Sequence, residues 1–205
     1  MDINSKDMLN SILKKISSID YVKPEDIPNI DLYMDQVTTF MDRQMRSTKR
    51  YENDKVLTKT MINNYAKNNL LPPPIKKKYS KEHVLVMIFI YYFKNILSIK
   101  DIETLLAPLT EKYFDTEEEF DITSVYEEIC ELEKSRIDYL QKDITKSYNA
   151  AKDSFADAPE EDLDYLQLFS FICSLSFDVY VKKQIIEKLI DSLPEPDHSQ
   201  KHKKK

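Results

Sequence analysis

The sequence predicts an all-α protein, because helical spacing and helix-capping residues recur along most of its 205 residues. Apolar residues repeat every three or four positions, which places them on one face of a helix. Residues that can cap a helix stand before the apolar segments: Asp31, Thr58 or Thr60, Ser80, Ser98 and Ser124. A hydrophobic fraction of 41% is sufficient for a packed core.

Five helices are expected in the first half of the chain, over about residues 5–19, 32–45, 58–68, 81–97 and 99–106. Asn69 can adopt the left-handed backbone that ends the third helix, because Asn is the best substitute for glycine there. The three prolines 72–74 then favour an extended backbone, and Pro108 should stop the fifth helix. The run from Val84 to Phe93 is apolar on nearly every side, so the fourth helix should be buried on several faces.

An acidic segment over residues 110–122 separates this half from three further helices, expected over about residues 124–155, 160–177 and 179–193. We therefore predict an N-terminal domain over residues 1–109. A C-terminal helical domain over residues 123–193 would serve for dimerisation or for binding an effector. The tail over residues 194–205 should be disordered.

The chain contains no glycine, which excludes several kinds of enzyme site. A P-loop, a dinucleotide-binding turn and the nucleophile elbow of hydrolases each need glycine for close backbone approach or unusual dihedral angles. No nucleophile, base and orienting residue form a recognisable set. Neither an enzyme nor a cofactor is predicted, and His198 and His202 lack the neighbouring ligands that a metal site needs.

Composition favours a cytoplasmic protein. Cys130 and Cys173 cannot form a disulfide framework, and both are interpreted as small buried hydrophobic residues. The first residues lack the apolar stretch of a signal peptide. The longest uncharged run, Tyr165–Phe177, has 13 residues, whereas a membrane-spanning helix needs about 20. The run is therefore interpreted as a buried helix.

The net charge of −6 conceals a strong asymmetry along the chain. Residues 43–81 contain eleven Lys or Arg against two acids, a net charge of +9. Residues 101–164 contain twenty acids against six bases, a net charge of −14. A block of one sign is usually a solvated face, but a positive block that coincides with a helix-turn-helix pattern favours binding to nucleic acid.

The positive block contains a candidate recognition helix over residues 58–69, which would place side chains in the major groove of DNA. Its apolar residues can face inward, while Asn63 or Asn64 could read adenine through two hydrogen bonds. A basic wing over residues 75–79 would follow. The predicted DNA-binding residues are Lys59, Thr60, Asn63, Asn64, Tyr65, Lys67, Lys76, Lys77, Lys78 and Tyr79. His83, just beyond the wing, is expected to be a partly exposed structural histidine.

About fifty residues here resemble the winged helix-turn-helix domain of MerR-type transcriptional regulators. That family has a Thr-led recognition helix ending in Tyr, then Gly-Leu-Leu-Pro, a wing ending in Arg-x-Tyr, and two helices. The matching segments are Thr60 to Tyr65, Leu70-Leu71-Pro72, Lys78-Tyr79-Ser80 and Ile99 to Leu106. The resemblance implies that Tyr65, Lys78 and Tyr79 contact the DNA backbone. The chain departs from the family at Asn69, where glycine is usual, and at Asn63, where Arg is usual.

The chain up to about Leu193 also resembles a bacterial family of YkrK-like proteins, which has no assigned function. The phrases IPNIDLYMDQVTTFMD and LLPPPIKKKYSKEH carry this likeness. That family is associated with DNA binding, which agrees with the pattern above and adds no mechanism.

The sequence therefore predicts a sequence-specific transcriptional regulator that binds double-stranded DNA as a homodimer, since most such proteins face two half-sites. The uncharged helix Tyr165–Phe177 and the long helix Ser124–Phe155 are the expected dimer surface. No residue set identifies a small-molecule effector. The main alternative is a helical adaptor whose basic surface binds an acidic protein partner.

Overall fold

A computed structural model of the protein describes residues 5–17 and 21–196. Within these ranges the chain is mostly helical and has one two-stranded antiparallel sheet, which confirms the predicted all-α class. The helices are α1 (Ser5–Ser17), α2 (Met34–Gln44), α3 (Lys59–Lys67), α4 (Lys81–Phe93), α5 (Ile99–Tyr113), α6 (Ile122–Lys134), α7 (Ile137–Lys152) and α8 (Glu160–Ile190). The strands are β1 (Leu32–Tyr33) and β2 (Lys78–Tyr79). The predicted tail lies mostly outside the described residues, as do residues 18 and 19 of the first predicted helix.

Backbone contacts divide the chain into two compact units. One unit combines α1 with the chain from Ile129 to Ile185, and the other spans Val22–Glu128 and continues from Ile186. In the first unit α1 packs on α7, where Gln141 Nε2 donates hydrogen bonds to the Leu13 carbonyl at 3.2 Å and to Ser17 Oγ at 2.6 Å. The expected division placed α1 in the N-terminal domain and the boundary between residues 109 and 123. In the structure α1 belongs with the C-terminal helices, and the other unit extends to Glu128.

The core of the Val22–Glu128 unit is built around α4. Every residue from His83 to Ile90 is buried, which confirms that this helix is covered on several faces. The Tyr126 ring packs edge-on against Phe89 with centroids 5.5 Å apart. The Tyr126 hydroxyl donates a hydrogen bond of 2.8 Å to the Val22 carbonyl, so the two ends of the unit are joined directly.

The segment expected to be an acidic linker is part of this unit. The Phe114 ring packs edge-on against His83 with centroids 4.7 Å apart, and the Asp115 amide donates to Glu82 Oε1 at 3.2 Å. Helix α6 then begins at Ile122, two residues earlier than expected, because Asp121 Oδ1 accepts a hydrogen bond from the Ser124 amide. Phe114 and Asp115 therefore contact α4, whereas a linker outside the domain was expected here.

Helix α5 continues through Pro108, where the sequence predicted its end. It runs to Tyr113, although a proline inside a helix removes one hydrogen bond and costs roughly 3 kcal/mol. Ile102, Leu106 and Ala107 are buried on one side, and their burial offsets that cost. The capping box formed by Ser98 and Asp101 at the start of the helix is confirmed, with both hydrogen bonds at 3.1 Å.

The breaks between the C-terminal helices were also predicted wrongly. The expected long helix over residues 124–155 is interrupted between α6 and α7 at Ser135 and Arg136, where the Ser135 hydroxyl donates to the Leu132 carbonyl at 2.6 Å. The expected break at residue 178 is absent, and α8 is one helix of 31 residues. No glycine or proline lies within Glu160–Ile190, so nothing in the backbone forces a break there.

The start of α2 differs from the prediction because the preceding residues form a strand. Leu32 and Tyr33 pair with Tyr79 and Lys78, so the helix begins at Met34. Its cap is therefore Tyr33, whose amide donates a hydrogen bond of 2.8 Å to Gln36 Oε1, and Asp31 was the wrong cap.

Among the described residues, no helix has both the length and the apolar character that crossing a lipid bilayer requires.

Candidate nucleic-acid interface

Helix α3 has the two-sided pattern expected of the candidate recognition helix. Thr58 caps it, with Thr58 Oγ1 accepting a hydrogen bond of 3.2 Å from the Met61 amide. Ile62 and Tyr65 are buried on one side. The other predicted side chains of this helix are exposed: Lys59, Thr60, Asn63, Asn64 and Lys67. Both asparagines and Lys67 therefore face solvent.

The end of α3 is fixed by a left-handed cap built without glycine. Asn69 has φ of 58°, and the hydrogen bonds of a Schellman motif are present: the Leu70 amide to the Tyr65 carbonyl at 2.9 Å, and the Asn69 amide to the Ala66 carbonyl at 3.3 Å. Asn69 Nδ2 also donates to Glu103 Oε1 at 3.2 Å. The predicted role of Asn69 is confirmed, and its side chain connects this turn to α5.

The predicted wing is a tight turn whose two central residues are lysines. Lys76 and Lys77 have φ of 49° and 64°, and Ile75 and Lys78 exchange two backbone hydrogen bonds of 3.1 and 2.9 Å across them. Two left-handed residues between bonded partners are typical of a type I′ turn, in which Asn and Gly are usual. Both lysines are exposed at the tip. The turn therefore exposes two ammonium groups, although its left-handed backbone conformation disfavours residues that have a Cβ.

Strand β2 attaches this turn to α2. Lys78 pairs with Tyr33 across the sheet, and Lys78 Nζ lies 5.3 Å from the Tyr33 ring centroid. Two residues further, Asp35 forms an ion pair with Lys59 at the start of α3. Helix α2 contacts both α3 and β2. Helix α3 and the turn are therefore both held at the junction of β1 and α2.

The basic segment between α2 and α3 is anchored at both ends. Lys49 Nζ binds Asp42 Oδ1 at 2.7 Å, and this contact lowers the pKa of the Asp42 carboxyl. Lys94 Nζ donates a 2.8 Å hydrogen bond to the Val56 carbonyl and lies 4.7 Å from the Tyr91 ring centroid. Burial lowers the pKa of Lys94. These contacts connect the segment to α2 and α4.

A surface groove of about 690 Å³ lies along α2 beside the start of α3. Five cationic side chains line it, namely Arg43, Arg46, Lys49, Lys55 and Lys59. Asp42 and Glu52 also line it, and Arg46 lies 3.8 Å from Glu52, so the groove keeps an excess of positive charge. The predicted site contained only Lys59 of this set. The others fall within the positive block, and that charge count was the signal that could have identified them.

Tyr65 and Tyr79 have structural positions inside the core. Tyr65 is 5% exposed and Tyr79 is 3% exposed, and burial raises the pKa of both phenols. Their rings support α3 and β2 from behind. A contact between either hydroxyl and a phosphate stays a prediction.

His83 is buried, whereas the sequence predicted a partly exposed histidine. Its Nδ1 accepts a hydrogen bond of 3.0 Å from the Ser80 amide, and its ring packs edge-on against Tyr79 with centroids 5.5 Å apart. Nε2 lies 3.4 Å from the Pro73 carbonyl. Burial lowers the pKa of His83 although this carbonyl favours the protonated form. The imidazole therefore joins the proline segment to the start of α4.

The two cysteines differ in exposure. Cys130 is buried as predicted, but Cys173 is exposed, because it lies on a side of α8 that its own unit leaves uncovered. The described residues include no group of three or more His, Cys, Asp or Glu side chains that could hold a metal ion. His198 and His202 lie outside the described residues.

The fold and the site define a mostly helical chain whose positive surface is built on one compact unit. Residues 22–129 match the model of the family described as Domain of unknown function (DUF1836). The match covers more than half of the chain, which therefore belongs to that family. Its limits agree within one residue with the Val22–Glu128 segment of the second compact unit, so the family domain contains α2 to α5, both strands and the start of α6. No curated protein and no solved structure matches the chain.

Proposed function

We propose that this protein is a sequence-specific transcriptional regulator that binds double-stranded DNA in the bacterial cytoplasm. In this proposal the Val22–Glu128 unit contains a MerR-like winged helix-turn-helix. Helices α2 and α3 are its two helices, and the turn at Lys76 and Lys77 is the tip of its wing. The YkrK-like family remains the proposed relationship within the broader domain family.

One observation supports this proposal most strongly: α3 and the lysine turn are attached to the same short stretch of backbone. Lys59 of α3 pairs with Asp35, and Lys78 of the turn lies over Tyr33. A winged helix-turn-helix requires such proximity, because the recognition helix lies in a groove while the wing contacts neighbouring phosphates. The same region has a net charge of +9 over residues 43–81.

The exposed side chains divide by chemistry into two roles. Asn63 and Asn64 each present an amide that can form two hydrogen bonds with adenine, so they would discriminate between bases. Lys67, Lys76 and Lys77 would neutralise phosphates without reading sequence. The cationic side chains of the groove beside α2 extend the surface that could contact the phosphate backbone of DNA.

An acidic protein partner is the second candidate, because carboxylates already occupy part of this surface. Lys59, Lys49 and Arg46 each pair with an acidic side chain of the same chain. A partner with suitably spaced Asp and Glu residues would replace those pairs. Exposed ion pairs contribute little, about 0–1 kcal/mol each, so DNA phosphates could displace them equally well.

Selection of bound fragments from genomic DNA, followed by anisotropy titration of the enriched sequence, tests the proposal. The wild-type protein should prefer the enriched sequence over scrambled DNA. Asn63→Ala should reduce that preference, whereas Lys77→Ala should weaken binding to both sequences alike. Lys146→Ala, at an exposed position on α7, is the matched control and should bind like the wild type. Absence of any enriched sequence, or wild-type binding by both site variants, would overturn the proposed function.

A further inference from the structure

Helix α8 exposes a continuous stripe without charge. Tyr165, Phe169, Ile172, Ser176 and Tyr180 follow one another at three- or four-residue spacing and therefore share one side of the helix. All five are exposed, Tyr165 by 63%, Ile172 by 51% and Tyr180 by 59%. The rings of Tyr165 and Phe169 stack with centroids 6.3 Å apart. A contiguous apolar surface of this kind marks an interaction site.

The stripe is not needed for packing within its own unit. The opposite side of α8 already packs on α7, where Phe171 is buried and its ring meets Tyr148 edge-on with centroids 5.5 Å apart. On the same side Gln167 Nε2 donates a hydrogen bond of 2.7 Å to the Lys152 carbonyl. The exposed stripe is therefore a second apolar side of the helix.

The charges that flank the stripe have opposite signs at its two ends. Glu160, Glu161, Asp162 and Asp164 precede it, and the first basic residues of the helix, Lys182 and Lys183, follow it. Two parallel copies of α8 would bring like charges together. Two antiparallel copies would place the acidic end of each helix beside the basic pair of the other. The midpoint between Glu161 and Lys182 falls beside Ile172, at the middle of the stripe.

We infer that a second copy of this chain covers the stripe, with the two α8 helices antiparallel about a two-fold axis near Ile172. In this arrangement Tyr165 of each copy lies near Tyr180 of the other. The acidic residues before the stripe pair with Lys182 across the interface. A two-fold interface must be self-complementary. Helix α8 meets this requirement because it carries opposite charges at equal distances on either side of Ile172.

Sedimentation velocity with matched variants tests the interface. The wild-type protein should be a dimer, Ile172→Asp should be a monomer, and Ser174→Asp should remain a dimer. Ser174 is exposed but lies on the side of α8 away from the stripe, so it controls for the added charge. Far-ultraviolet circular dichroism should show equal helix content in all three proteins. A monomeric wild type at tens of micromolar, or a dimeric Ile172→Asp protein, would overturn the inference.

Cross-linking tests the antiparallel direction even if a charged variant fails to fold. In a Cys173→Ser background, Tyr165→Cys and Tyr180→Cys proteins with different tags are co-expressed and treated with bismaleimidoethane. Cross-links should join one variant to the other and should be absent from either variant alone. Two copies of residue 165 would lie roughly 20 Å apart along the axis, given a rise of 1.5 Å per residue. Efficient cross-linking of Tyr165→Cys to itself would contradict the antiparallel arrangement.

The outcome of these two experiments does not depend on DNA binding, because neither contains DNA.

Charge exchange provides a further check on the register. Lys182→Glu should weaken the dimer at low salt, and the double variant with Glu161→Lys should restore it, because the exchanged charges again meet their opposites. If the double variant is weaker than the single variant, the proposed register is wrong.

Discussion

Lys78 and Tyr33 lie opposite each other in the two-stranded sheet, with the Lys78 ammonium 5.3 Å from the centre of the Tyr33 ring. This pair is the physical link between the lysine turn and the start of α2. Asp35 of α2 forms an ion pair with Lys59 of α3, so the turn and α3 are held in defined positions relative to each other. The shared attachment gives the proposed DNA surface its geometry.

Replacing Lys77 with glycine should separate stability from DNA binding. Lys77 has φ of 64°, and a left-handed backbone costs a side chain with a Cβ roughly 1–2 kcal/mol. Lys77→Gly should therefore raise the free energy of unfolding by about 1 kcal/mol while it weakens DNA binding. Urea denaturation and anisotropy titration measure the two effects. A variant that is both less stable and fully competent in binding would contradict this assignment.

Asn69 should tolerate glycine better than alanine. Its φ of 58° favours glycine, whereas alanine has neither the freedom of glycine nor the amide that binds Glu103. Asn69→Ala should lower the free energy of unfolding by about 1–2 kcal/mol. Asn69→Gly should lower it less, since it loses only the hydrogen bond to Glu103. Equal unfolding midpoints for the two variants would show that this backbone conformation costs nothing.

Burial of His83 should make folding stability depend on pH. Its pKa is lowered in the folded protein from an unfolded value of 6.5, so the unfolded chain binds the extra proton more readily. The stability from neutral His83 is therefore complete above pH 6.5 and declines as the pH falls from 6.5 through the lower native pKa. Urea denaturation at a series of pH values measures this loss.

The matched variant for that measurement is His83→Gln. Glutamine at this position can still accept the Ser80 amide hydrogen bond, as in a capping box, but it does not titrate. Loss of the ring should lower stability at every pH, while the dependence below pH 6.5 should become weaker than in the wild type. Identical pH dependence in both proteins would assign the effect to other groups.

Lys94 should control the order of the basic segment between α2 and α3. Lys94→Met keeps the hydrocarbon part of the side chain but removes the hydrogen bond to the Val56 carbonyl. Limited trypsin digestion should then cleave faster within Arg46–Lys55, and DNA affinity should fall although Lys94 itself contacts no DNA in this account. Lys100→Met, at an exposed position of α5, is the control and should be digested at the wild-type rate. If the two variants are cut equally, Lys94 does not anchor the segment.

Local signals at both ends of α3 and at the starts of α4 and α5 were sufficient to predict those parts of the fold. Thr58, Ser80 and Ser98 precede helices where expected, and Asn69 adopts the left-handed cap. Each of these signals acts over three or four residues and depends little on the rest of the chain. The exposed positions of α3 followed from its helical spacing for the same reason.

Features that depend on distant packing were not predictable from local pattern. Pro108 remains inside α5 because neighbouring side chains are buried. Phe114, which lies in the segment expected to be a linker, packs on His83. The strand at Leu32 forms only because β2 pairs with it. The uncharged run in α8 was expected to be buried, but a single chain covers only one of its apolar sides.

The most direct test of the central claim is a salt titration of DNA binding with the wild type and with a variant in which Lys67, Lys76 and Lys77 are all glutamine. A surface that binds several phosphates should show a decrease of roughly a thousandfold in affinity between about 50 and 200 mM salt. The logarithmic slope should decrease by nearly three in the triple variant, about one for each phosphate that is no longer neutralised. Equal slopes for the two proteins would show that DNA does not bind at α3 and the lysine turn.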